Sequence, residues 1–280
     1  MGGTLYICPT PIGNLKDITE RVVDTLRTVH LIAAEDTRHS RKLLSHLCIS
    51  ARVVSCHEHN EEKASSLIRR ALVSGQDVAL ITDAGTPTVS DPGYRLVAGV
   101  VADGLSVVAL PGPSALLTAL SLSGFEADRF VFEGFLPSKP ADRRARIGRM
   151  EGETRTVILY ESPHRLLQAL SELSEALGKM RKAVICRELT KIHEEIIRGT
   201  LEELIGRVES QGTRGEYVLV LQGDAVERRT DLDPDKEAML KAYIRELIRD
   251  GASRKSAARQ AAKAAGVRQR EAYSVAVEIE

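Results

Sequence analysis

The chain has 280 residues, 43% of them hydrophobic and 4% aromatic, and a formal net charge of +0. That length suits two compact domains and a small appendage, with cores that need no staple. Zero net charge excludes a polycation, so any contact with nucleic acid must come from local patches.

Four cysteines, Cys8, Cys48, Cys56 and Cys186, show no CxxC spacing and read as reduced thiols of a cytoplasmic protein. Met1-Gly2-Gly3-Thr4 leads straight into a strand, with no basic and apolar leader before it. No apolar run approaches the ~20 residues of a membrane span.

In chain order, residues 5–8 form a short strand. Asp17, with Glu20 three residues on, caps a helix whose apolar face carries Ile18, Val22, Val23, Leu26 and Val29. Strands follow at 31–34, 53–54, 78–81 and 107–110. Helices at about 37–47, 61–72 and 94–102 separate them. Strands alternating with helices predict a mainly parallel sheet covered on both faces, over residues 1–122.

A second α/β block covers 123–224. Its strands fall at 130–132, 157–160, 183–186, 195–198 and 217–221, with helices at about 163–177 and 201–208. Some antiparallel pairing is expected there. The polar stretch 223–235 reads as a linker, and 236–280 as an all-helical tail. In that tail Ser253 caps a helix bearing Arg254, Lys255 and Arg259. Ala265-Gly266-Val267 then makes a turn before a helix from Gln269 to Val277. The pattern is that of a helix-turn-helix or of an Ala-rich packing bundle.

The polar chemistry gathers after the strands. Pro9-Thr10-Pro11-Ile12-Gly13-Asn14 follows the first, Glu35-Asp36-Thr37-Arg38 the second, and Asp83-Ala84-Gly85-Thr86-Pro87 the fourth. Pro111-Gly112-Pro113-Ser114-Ala115 follows the next, and the second block adds Tyr160-Glu161-Ser162-Pro163-His164-Arg165 and Arg187-Glu188-Leu189-Thr190. In an open α/β sheet the carboxyl ends of the strands share one rim, so these loops can converge on a ligand. Singly, each also reads as a turn or a helix cap.

The commonest occupants of such a rim are excluded. No G-x-G-x-x-G follows the first strand, and there is no P-loop, H-E-x-x-H or G-x-S-x-G. His57 and His59 have no partner cluster, so no metal site is expected. Two basic stripes follow rim loops: Arg38, Arg41 and Lys42, and Lys139, Arg143, Arg146 and Arg149. They fit an anionic substrate or a solvated face.

These loops, in this order, resemble the ribosomal RNA small subunit methyltransferase I family, within the tetrapyrrole-methylase-like S-adenosylmethionine enzymes. The resemblance runs from about Thr4 to Gly223, and the tail is similar to that family's small helical domain. It implies a two-domain α/β fold with an interdomain cofactor cleft. It implies 2′-O-methylation of a cytidine ribose in the decoding region of 16S rRNA, within the small ribosomal subunit, by a homodimer. The cofactor residues it implies are Pro9, Asp83, Thr86, Ser114, Ala115, Tyr160, Leu189 and Glu216.

A ribose hydroxyl is a poor nucleophile until a base takes its proton, and Glu35, Asp36, Glu161 and His164 are the candidates. Arg38, Arg41, Lys42, Arg143, Arg146, Arg165, Arg254 and Lys255 are the residues expected at RNA. Thr82-Asp83-Ala84 replaces the Gly-Asp-Pro frequent in tetrapyrrole enzymes, which favours the RNA branch over a porphyrinoid substrate. A non-catalytic RNA-binding protein is the third reading.

Overall fold

The computed structural model describes residues 2–224, 234–267, 269–277 and 279. They form two compact units, one up to Gly223 and one from Asp224. Both predicted α/β blocks lie in the first.

The first sheet contains β1 (Thr4–Ile7), β2 (Leu31–Ala34), β3 (Val53–Ser55), β4 (Val78–Ile81) and β5 (Ser106–Ala109). Its order is β3-β2-β4-β1-β5, and every pairing is parallel. The apolar runs of β2 and β4 are buried at every position, as parallel strands covered on both faces require. Alternation sends Val78 and Leu80 towards α3 (Glu61–Val73) and α4 (Tyr94–Ala102). Ala79 and Ile81 face α1 (Glu20–Thr28) and α2 (Thr37–His46).

Asp17 does not cap α1. Thr19 does, its hydroxyl accepting from the Val22 amide, while Asp17 ends a separate 3-10 turn from Leu15. The extended backbone at Thr19 places its oxygen over the free amides, which Asp17 is too far upstream to reach.

The second sheet holds β6 (Phe130–Phe135), β7 (Thr156–Glu161), β8 (Lys182–Arg187), β9 (Glu195–Thr200) and β10 (Tyr217–Leu221). Its order is β6-β7-β10-β8-β9, parallel only between β6 and β7. One face packs on α7 (Leu166–Leu177) and α8 (Leu201–Gln211). Ile147 of α6 (Pro140–Gly148) joins that core.

The other face, with Ile158, Val184, Val218 and Val220, packs on Leu116, Ala119 and Leu120 of α5 (Ala115–Ser123). Thus α5 leaves the first sheet and lies on the second, bringing the rims of both sheets together. α7 begins three residues later than expected, because Ser162-Pro163-His164-Arg165 closes a turn through Arg165 N–H to Ser162 O.

The second unit consists of α9 (Pro234–Arg249), α10 (Arg254–Ala265) and α11 (Gln269–Val277) around Leu240, Ile244, Ala258, Ala261 and Val275. The Ser253 hydroxyl caps α10 by accepting from Ser256 N–H, and Gly266 ends the helix in the left-handed region at φ 65°. Most of the expected linker, 225–233, lies outside the described residues. Among the described residues no helix is long and apolar enough to cross a membrane.

Candidate active site

The first loop is stitched to the loop after β4. Thr10 and Gly85 exchange two backbone hydrogen bonds, at 2.9 and 3.0 Å, and the Thr10 hydroxyl donates to Thr82 O at 3.0 Å. Gly85 sits at φ +82°, where a side chain is strained. Thr86 then donates its hydroxyl to Pro113 O at 3.1 Å, joining a third rim loop. The Asp36 amide donates to Asp83 Oδ1 at 3.2 Å, joining the fourth. Four strand ends therefore hold one another, and Asp83 sits at their centre.

Together with the facing ends of the second sheet they enclose a cavity of about 400 Å3. That volume lies in the range of small-ligand and cofactor sites, ~300–1,000 Å3. Asp83, Thr86, Ser114, Ala115, Tyr160, Leu189 and Glu216 all line it. Pro9 does not; it packs under Gly112, where a Cβ would come within 2.7 Å of Pro9 Cβ. Ile12, Val89 and Val218 supply apolar wall. The Tyr160 ring is held edge-on between Phe132 and Phe135, with centroids at 5.0 and 5.5 Å.

Of the four proton-acceptor candidates, Glu35 and Glu161 line the cavity. Glu35 Oε2 accepts the Thr82 hydroxyl at 2.7 Å. Glu161 is 2% exposed. Its Oε1 accepts from Ser162 N–H and pairs with Arg165, both at 2.8 Å, while its Oε2 is buried without a partner. A buried carboxylate oxygen left unpaired is costly unless a ligand supplies a donor.

Asp36 and His164 lie elsewhere. Asp36 accepts from Arg38 N–H at 2.7 Å as the cap of α2, and that amide holds its carboxyl below the usual range. His164 is exposed at the turn before α7 and is not part of the cavity wall.

The basic residues divide. Arg38, Arg41 and Lys42 are exposed on α2, and Lys42 borders a second cavity of about 520 Å3 that shares Ile12, Asp83 and Glu216 with the first. Arg254 and Lys255 are exposed on the first turn of α10.

Arg143, expected at RNA, is instead buried: it is 4% exposed, and its fork is closed on Glu172 at 2.7 and 2.8 Å. A charge stripe at helical spacing reads as solvated, but here an acid on the neighbouring helix draws one member inside. Arg165 is likewise engaged, with Glu161 and with Leu136 O at 3.0 Å. Arg146, partly exposed, pairs with Glu133 at 2.7 Å.

Asp91 lies outside the residues expected at the site, because Asp91-Pro92-Gly93 carries only turn chemistry. Asp91 lines the cavity, and burial first, then the Glu35 charge, pushes its carboxyl up to about 7. Burial also raises Asp83, and pushes the Tyr160 phenol and the Cys186 thiol up to about 12. No sequence pattern marks the clasp at the cavity mouth either. The Asn14 amide donates to Thr190 Oγ1 at 3.0 Å, and Lys191 pairs with Glu188 and Glu216 at 2.8 and 2.9 Å. Glu188 and Thr190 both lie at positive φ, 50° and 64°.

The profile of the Tetrapyrrole (Corrin/Porphyrin) Methylases matches residues 4–205, which carry every strand of this site except β10. A Ribosomal RNA small subunit methyltransferase I of Synechocystis sp. is 44% identical over 99% of this chain and 99% of its own. The chain belongs to the ribosomal RNA small subunit methyltransferase I family. Another member, from Escherichia coli O157:H7, is 45% identical over 99% of this chain and 95% of its own.

Among solved structures, uroporphyrin-III-C-methyltransferase from Thermus thermophilus superposes with a TM-score of 0.57 at 17% identity. The match covers 79% of this chain and 94% of that one, and it shows a shared fold. The helical unit after Gly223 lies beyond the profile match.

Proposed function

We propose that this chain methylates the ribose 2′-oxygen of a cytidine in the decoding region of 16S rRNA, using S-adenosylmethionine. The observation that carries the reading is the cavity between the two rims: acidic, partly apolar, and with an orphaned carboxylate oxygen at Glu161. The relatives are ribosomal RNA small subunit methyltransferases by name, which supports RNA of the small subunit as the substrate.

The residues fit this cofactor. Asp83, Glu35, Asp91 and Glu161 suit a cationic ligand with N–H and O–H donors, and Glu161 Oε2 awaits such a donor. Asp83 and the Thr86 backbone would hold it from the first sheet, with Ser114 and Ala115 allowing close approach. Tyr160, Leu189 and Glu216 would close over it from the second. When bound, S-adenosylmethionine supplies an electrophilic methyl group on a sulfonium. The rim loops, tied to one another by hydrogen bonds, would hold the substrate oxygen in line, and orientation of this kind contributes on the order of 7–11 kcal/mol. Arg38, Arg41 and Lys42 would meet the phosphates, with Arg254 and Lys255 of the helical unit as further contacts. A cytoplasmic homodimer on the small ribosomal subunit completes the reading.

The test is incubation of unmodified small subunits with methyl-labelled S-adenosylmethionine, followed by nucleotide mapping. Label on one cytidine ribose supports the proposal. No transfer to RNA, label on a base, or transfer to a porphyrinoid instead refutes it.

A further inference from the structure

We propose that the second cavity, between α2 and the loop after β1, receives a single unstacked nucleotide of the RNA substrate. Its phosphate lies at Lys42 and its ribose where the two cavities adjoin. The inference rests on the methyl-transfer reading above and says where the substrate of that reaction sits. The cavity measures about 520 Å3, and Leu15, Leu43, His39 and Lys42 line it. It adjoins the first cavity along Ile12, Asp83, Ala84 and Glu216, which line both.

Size sets the class of occupant. A volume of that order holds one small ligand. A duplex, or a base still stacked between its neighbours, does not enter it. Single-stranded RNA is read by splaying bases out of the stack, and Leu15 and Leu43 offer an apolar surface to a base face. The charges are segregated. His39 and Lys42 stand on the α2 side, on the helix that also exposes Arg38 and Arg41. The acids Asp83 and Glu216 stand where the cavities adjoin. Lys191, also on the wall, is already held by Glu188 and Glu216 at 2.8 and 2.9 Å, which leaves the phosphate to Lys42. A nucleotide entering this field turns its phosphate to α2 and its sugar towards Asp83 and the methyl donor.

The clasp builds the wall opposite α2. A Cβ at Gly13 would come within 2.5 Å of Lys191 Cγ and 2.8 Å of Leu189 O, so the loop after β1 lies flush on the connection between β8 and β9. The Asn14 amide is fixed on Thr190 Oγ1, and the Asn14 side chain accepts from Lys16 N–H at 3.1 Å. That bond starts the 3-10 turn on which Leu15 is carried. Leu15 is thus held at the cavity while 42% exposed, and a base laid over it removes apolar surface from water.

Where the cavities adjoin, Ala84 contributes only a methyl group, and Asp83 is fixed by the Asp36 amide from the cap of α2. The helix that offers the cations is therefore tied to the loop that faces the cofactor. Only the target nucleotide fits, so its neighbours stay outside, with the exposed face of α2 beside them.

The test combines cavity-filling variants with photocrosslinking, both on the full chain and unmodified small subunits. Leu15→Trp and His39→Trp narrow the cavity from its two sides at exposed positions. At saturating S-adenosylmethionine each should methylate about 10²-fold more slowly than wild type, the cost of a misplaced substrate oxygen. Each should still bind subunits within about tenfold, because phosphate contacts outside the cavity remain. His46→Trp, exposed further along α2 and outside the cavity wall, should match wild type. Lys42→Ala should lower the salt-dependence slope of subunit binding by about 1. A diazirine analogue of leucine in place of Leu15 should crosslink to the methylated nucleotide or its immediate neighbour. Both tryptophan variants methylating within about threefold of wild type would overturn the assignment. So would crosslinks that avoid that nucleotide and its neighbours. If the wild type transfers no methyl group to RNA, the proposed function fails and the crosslink still decides the pocket. A crosslink to one unpaired nucleotide then supports it, and a crosslink to paired RNA, or to none, refutes it.

Discussion

Arg143→Ala separates a structural arginine from a phosphate-binding one. The Arg143 fork makes a bidentate pair with Glu172 at 2.7 and 2.8 Å, and Nη1 donates to Ser138 O at 3.2 Å. It ties α6 to α7. Removing one partner of a buried ion pair costs about 3–5 kcal/mol, mostly because the other charge is stranded. The Glu172 side chain is 19% exposed, so water recovers part of that, and the expected loss is roughly 2–4 kcal/mol.

In a unit of this size each kcal/mol moves the melting point by about 2–4 °C. Thermal unfolding should therefore show a drop of roughly 5–15 °C, and Arg143→Lys, which keeps the charge but loses the fork, a smaller one. In the double variant with Glu172→Gln the loss should be less than the sum of the single losses. Arg41→Ala is the control: exposed, it should melt like wild type and bind small subunits more weakly at low salt. The reasoning fails if Arg143→Ala melts within a degree of wild type while its salt-dependence slope for subunit binding falls by about 1.

Asp83→Ala should weaken S-adenosylmethionine by about 10–150-fold, the effect of losing a hydrogen bond to a charged group at ~1.5–3 kcal/mol; unchanged calorimetric affinity would remove Asp83 from the cofactor site. Only exposed Cys48 should react quickly with a thiol reagent, because burial pushes the Cys8, Cys56 and Cys186 thiols up to about 12, 11 and 12. A second fast equivalent in native protein would contradict this. Arg155 holds the Glu153 carboxyl down to about 2, so its stabilisation is present above the unfolded value near 4.5 and is lost as pH falls through 2. The urea midpoints of wild type and Glu153→Gln should accordingly differ at pH 6 and converge by pH 2.

The first sheet was legible because strands covered on both faces are unbroken apolar runs, and Val78–Ile81 is one. The rim was legible for a related reason: strand ends in an open sheet share an edge, so residues after β1, β2, β4 and β5 fall on one cavity. α5 was not legible. Ala-Leu-Leu-Thr-Ala-Leu-Ser-Leu-Ser has apolar residues on its exposed side as well as its buried one, with Leu117 52% exposed, so no 3.6-residue contrast marks it. Arg143 was misplaced because its burial depends on Glu172, 29 residues away, and helical spacing carries no information about that partner. Asp91 was not legible, because Asp-Pro-Gly is turn chemistry wherever it occurs. Only the fold shows that this turn lines one cavity with Glu35.

The balance of charges conceals a division that bears on function. Glu35, Asp83, Asp91 and Glu161 all face one cavity, and burial first, then neighbouring negative charge, raises the carboxyls of Asp83 and Asp91. A fold selected only for stability would disperse such charges. A cationic ligand offsets that repulsion when it binds, and it does so inside a wall that screening ions reach poorly. The basic face of α2, by contrast, is open to solvent, where attraction for phosphate is strong only at low salt. The two halves of the proposed reaction thus draw on opposite electrostatics held apart by one short helix. Asp36 is the hinge of that division: its carboxylate caps the helix that carries Arg38, Arg41 and Lys42, while its amide holds Asp83 in the cavity wall.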